Sequence, residues 1–149
     1  MLDIGSFSAG AFLGILLTAI INHFLAKSRA KENSLYTAKL EAGIKLKEAF
    51  ADALIALNPS VCEEEDAYFH LKNSFQNHLK AVTRYKVYLN EKDKLAFDKA
   101  WHEYYCGVDN NDIPYLEQYS SDIGSHSAYK KNCSLAAERI EKILSFAVT

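Results

Sequence analysis

Residues 7–26 of this chain read FSAGAFLGILLTAIINHFLA, a run without a single Asp, Glu, Lys or Arg. Nothing else in the sequence restricts the fold as strongly. As an α-helix rising 1.5 Å per residue, such a run is about 30 Å long, the depth of a bilayer hydrocarbon core. A cleaved leader needs cations ahead of its apolar run. Here the one earlier charge is Asp3, and the cations Lys27, Arg29 and Lys31 come afterwards. By the positive-inside rule this order predicts a transmembrane anchor whose C-terminal side stays in the cytoplasm. A buried core helix is the competing reading, disfavoured because core helices are shorter and carry charge on one face.

The run is patterned as well as apolar. Ser6, Gly10, Gly14, Thr18 and Asn22 recur every fourth residue. Small residues on such a ridge let two helix backbones approach, and Thr or Asn can hydrogen-bond across the contact. This predicts self-association through the membrane helix. Asn22 and His23 sit one turn before Lys27, which places them at the headgroup level rather than in the bilayer centre.

Composition describes the remainder. The chain has 149 residues, 49% hydrophobic and 24% charged, with only 6 Gly and 2 Pro. That excludes collagen-like and wholly disordered chains. A net charge of −2 argues against general nucleic-acid binding. Setting aside Lys27, Arg29, Lys31 and Asp3 leaves residues 32–149 with 14 cations and 18 anions, hence mildly acidic. The expected organisation is an anchor with a basic juxtamembrane segment over 1–31 and a cytoplasmic helical domain over 32–149.

Apolar periodicity divides that domain into four helices. The first covers about Ser34 to Leu57, with Tyr36, Leu40, Ile44, Phe50, Leu54 and Leu57 on its inner face, and is free to continue from the membrane span. Asn58-Pro59 stops it. The second, about Glu65 to Leu89, gathers Leu71, Phe75, Val82, Tyr85 and Leu89. The third begins near Lys92, buries Phe97, Ala100, Trp101 and Tyr104, and ends at Gly107. A long loop anchored by Tyr115, Leu116 and Tyr119 leads to the last, about Ser125 to Phe146, with Tyr129, Cys133, Ala136, Ile140, Ile143 and Leu144 together. The fold class is all-α: an N-terminal transmembrane helix followed by a four-helix cytoplasmic bundle.

Chemistry is harder to find. Lys47 and His78 interrupt apolar faces, and Arg84, Lys86 and Lys130 stand beside tyrosines, an arrangement able to stack a base and neutralise a phosphate. These five are the candidate ligand-binding residues, set against the plainer reading of a rim over the core. Asp66/His70 and Asp98/His102 share helix faces but belong to no recognised metal motif. Asp109-Asn110-Asn111-Asp112 lacks the glycine and closing acid of a calcium loop. Cys62, Cys106 and Cys133 are scattered, and no nucleophile or phosphate-loop motif is present. No metal, cofactor or catalytic residue is expected.

Several segments act as landmarks: His23 to Arg29 closing the apolar run, Glu48-Ala49-Phe50, His78 to Val82, Phe97 to Tyr105, and Arg139 to Ala147. Their arrangement resembles a group of small single-pass bacterial membrane proteins of unassigned function, over nearly the whole chain. The resemblance implies the architecture and a place in the bacterial inner membrane with the N-terminus outside, but no activity. In architecture alone the chain is also similar to membrane effectors of bacterial antiphage systems, some of which bind a cyclic oligonucleotide. The expected function is a non-enzymatic, inner-membrane-anchored helical protein that self-associates or recruits a protein partner at the cytoplasmic face. The alternative is a nucleotide-responsive membrane effector in which the five candidate residues sense an anionic ligand.

Overall fold

The computed structural model describes residues 4–58, 67–108, 116–120 and 126–147, with side chains from residue 17 in the first helix and from 128 in the last. Four α-helices account for nearly all of these: α1 Ile4–Ala56, α2 Ala67–Lys86, α3 Glu91–Cys106 and α4 His126–Leu144, with one 3-10 turn at Glu117–Tyr119. No strand occurs among the described residues. The chain divides into two compact units, Met1–Ala38 and Lys39–Thr149.

The all-α expectation stands, but the transmembrane one is corrected. The apolar part of α1 whose side chains are described, Leu17 to Ala26, amounts to about 15 Å of helix, and Lys27, Arg29, Lys31 and Glu32 follow at once. Among the described residues no helix is long and apolar enough to cross a membrane. A separate single-pass anchor is therefore not what the structure presents. The segment is instead the first part of one 53-residue helix. Ser6, Gly10 and Gly14 of the small-residue stripe, Cys62, Asp66, Asp109 to Asp112 and Tyr115 lie outside the residues whose side chains are described.

The core belongs to the second unit. From α1 and the turn that ends it, it takes Leu46, Phe50, Ala53 and Leu57; from α2 Leu71, Val82 and Tyr85; from α3 Phe97, Ala100 and Tyr104; from α4 Tyr129, Cys133, Ala136, Ile140 and Ile143. The faces of α2, α3 and α4 match the periodicity closely. That of α1 does not, since Tyr36 and Ile44 are exposed and Leu46 is fully buried. At about 100° per residue, Leu46, Phe50, Ala53 and Leu57 fall within roughly 60° of one another. Ile44 lies about 160° round the helix from Leu46, so a line drawn through Tyr36, Leu40 and Ile44 leads away from the core.

Local chemistry sets the ends of α3. The Asn90 side chain accepts a hydrogen bond from the Asp93 backbone N–H at 2.9 Å, and Glu91 and Asp93 place negative charge in the first turn. Both arrangements favour a helix N-terminus. At the other end Gly107 has φ +96° and donates its N–H to the Glu103 carbonyl, a conformation that side chains rarely adopt.

Candidate functional site

A histidine in the core is the natural place to look for chemistry. His78 is fully buried on α2. Its ring stacks on Phe50 of α1 with centroids 4.0 Å apart, and its Nδ1 shares a 2.9 Å hydrogen bond with the Tyr104 hydroxyl of α3. Three helices thus meet at one imidazole. Burial drives its pKa down to about 4, with the Ala49 backbone pulling weakly the other way. Nε2 has no hydrogen-bond partner of ordinary geometry among the described residues. Burial also pushes the Tyr104 hydroxyl well above the usual phenol range. The ring is therefore neutral at physiological pH, its one hydrogen-bonded neighbour keeps its own proton, and no side-chain surface reaches solvent. Such a group joins helices; it is poorly placed to exchange protons with a substrate.

The carbonyls at the C-terminus of α3 need partners once buried, and the segment around the 3-10 turn supplies them. Gln118 Nε2 donates to the Tyr104 carbonyl at 2.9 Å, as does the Tyr119 hydroxyl. The Leu116 N–H donates to Tyr105 at 3.1 Å, with Leu116 itself held at φ +64°. Arg139 of α4 secures the segment by donating to Gln118 Oε1 and, at 3.3 Å, to the Tyr119 oxygen. Burial pushes the Tyr119 hydroxyl up to about 12, with Arg139 opposing it. Below, Lys142 lies 2.5 Å from Glu103 Oε2 and holds that carboxyl under its ordinary range.

The five candidate ligand residues do not form one group. His78 is buried, Lys47 half-buried, and Arg84 and Lys130 exposed. Lys86 is engaged with Asp98 Oδ2 at 2.6 Å, which also occupies one member of the Asp98/His102 pair. No hydrogen bond or ion pair among the described residues links any two of the five. No group of three or more His, Cys, Asp or Glu among the described residues is set to hold a metal.

Sequence reasoning put both His78 and Tyr104 on inner faces yet missed their pairing, because no local pattern connects residues 26 apart. It missed Gln118 and Arg139 for the same reason. The apolar run that the sequence reading placed in a bilayer is exposed where its side chains are described. Leu17, Ile20, Ile21, Phe24 and Leu25 on α1 are each between 47% and 66% exposed.

No family model matches the chain, and no curated protein or solved structure is detectably similar to it. Neither fold nor activity therefore passes to this protein from a relative, and its function must be argued from its own surface.

Proposed function

We propose that this protein is a non-enzymatic helical association module. The first part of α1 docks against another polypeptide, and the unit Lys39–Thr149 supplies a stable helical body. One observation carries the reading: five large apolar side chains within nine positions of α1, all about half exposed or more. These five side chains span an arc of about 140° round the helix, and an apolar face of that width is ordinarily covered by something. Contiguous exposed apolar patches on soluble proteins mark interaction sites. The chemistry around His78 supports the same view, since that histidine is committed to holding α1, α2 and α3 together.

Site-specific photo-cross-linking in intact cells tests this. A benzophenone amino acid placed at Leu17, Ile21 or Phe24 of the full-length chain should give protein adducts identifiable by mass spectrometry. The same group at the exposed Glu48 of α1 should give none. Equal labelling at Glu48, or adducts with lipid alone, would overturn the proposal.

A further inference from the structure

We infer that residues 39–56 of α1 form a detachable helix, and that His78 is an acid-operated latch holding it against the other helices. This goes beyond the association reading above and is independent of what covers the first part of α1. The helices are joined unequally. The backbones of α3 and α4 approach each other closely, as do those of α2 and α4, and the 3-10 turn lies close to both α2 and α4; among the described residues α1 makes no backbone approach of comparable extent. Polar bonds reinforce the α2–α4 part: the Tyr85 hydroxyl donates to the Phe146 carbonyl, Lys142 pairs with Glu103, and Arg139 ties α4 to Gln118. The hold on α1 is chiefly one apolar strip, Leu46, Phe50 and Ala53, with Leu57 in the turn that follows. It is therefore the element most easily released from the bundle.

His78 sits under that strip, its ring 4.0 Å from Phe50 and 15° from parallel. The Tyr104 hydroxyl has Nδ1 as its one hydrogen-bond partner among the described residues. A buried hydroxyl spends its proton on the acceptor it has, so Tyr104 donates and Nδ1 accepts. The neutral ring then carries its own proton on Nε2, and an added proton lands on Nδ1. That converts the acceptor into a donor and leaves the Tyr104 O–H without one.

Nothing nearby balances the resulting charge. On α1 Lys47 is half-buried and Glu48 and Asp52 are exposed, and on α2 Lys72 and Lys80 are exposed. On α3 Tyr104 touches the ring and Glu103 is engaged by Lys142. Tyr119 and Arg139 of α4 stand behind Tyr104. No carboxylate among the described residues bonds to the imidazole. Once α1 lifts away, water reaches the ring, which then holds a proton at the ordinary 6.5 rather than near 4. The released state binds the proton more tightly, so acid favours release.

Thiol labelling of the full-length chain carrying Ala53→Cys tests this, with dithiodipyridine as a reagent that reacts in acid as well as at neutral pH. Ala53 is buried on α1, and the native Cys133, buried on α4, is the internal reference. With each rate divided by that of the denatured chain at the same pH, labelling at position 53 should rise on the order of 30-fold between about pH 7.5 and pH 5. Labelling of Cys133 should not rise, and adding His78→Gln should abolish the increase at position 53. An equal rise at Cys133, no rise at either site, or a rise that survives His78→Gln would overturn the inference. Should the substituted chains not fold, hydrogen exchange of the unaltered chain makes the same comparison: protection over residues 46–56 should fall at pH 5 while residues 97–104 and 136–143 keep theirs. Equal behaviour of the three segments would again overturn it.

Discussion

Two stretches along α1, Leu17–Leu25 and Leu46 to the closing turn at Leu57, are both rich in large apolar side chains, yet they end in opposite environments. Leu46, Phe50 and Leu57 have no accessible surface, while Phe24 is 66% exposed. The difference lies in arrangement. Leu46, Phe50, Ala53 and Leu57 occupy one narrow strip, with Glu48, Asp52 and other polar positions elsewhere round the helix, so a single packed layer covers them. Leu17, Ile20, Ile21, Phe24 and Leu25 spread over a wider arc. Apolar content alone does not make a core; it must fall on a face that the same chain can reach.

That contrast is most easily broken by deleting one ring from each stretch. Phe50→Ala removes a fully buried phenyl stacked on His78 and should cost about 3–5 kcal/mol in denaturant unfolding. Phe24→Ala, at a residue 66% exposed, should change the same midpoint by less than about 0.5 kcal/mol. Equal losses would mean that both stretches serve the folded unit.

Acid should act on the second stretch through His78. Its pKa is about 4 in the folded chain against 6.5 when free, so the unfolded chain takes up the proton first. Its contribution is complete above pH 6.5 and is lost as pH falls toward 4, by roughly 3 kcal/mol. Glu103, also held low, adds a loss of the same sign only at more acidic pH, as its carboxyl is protonated away from Lys142. His78→Leu should flatten the slope between pH 6.5 and 4 specifically, and an unchanged slope would remove His78 as its source.

Smaller effects sharpen the account of how the core is closed. Gly107→Ala places a Cβ 3.0 Å from Gln118 Oε1 at a backbone angle suited to glycine, and a thermal-melt series should show a loss of about 1–3 kcal/mol. Lys86→Ala breaks a half-exposed ion pair with Asp98 and should cost no more than about 1 kcal/mol.

Much of this was readable in the sequence where the signal is local. Gly107 as the end of α3, and the inner faces of α2, α3 and α4, follow from spacing and cap chemistry. The inner face of α1 was misjudged because residues four apart drift steadily round a helix, carrying the stripe from Tyr36 to Ile44 away from Leu46. The Tyr104–His78 bond and the Arg139–Gln118 link join residues from separate helices and turns, which no periodicity reports. Length of apolar run suggested a bilayer span at residues 7–26; the residues of that helix whose side chains are described, from Leu17 on, instead offer a short apolar face ending in lysines.

The central claim is that α1 divides its work, one stretch building the core and the other docking against another polypeptide. Photo-cross-linking in intact cells from position 21 of the full-length chain, compared with the same chain carrying Leu17→Glu and Phe24→Glu, tests it most directly. The account predicts protein adducts for the parent, their loss in the variant and the same unfolding midpoint for the core of both. Equal adducts from the two chains, or a variant whose core no longer folds, would contradict it.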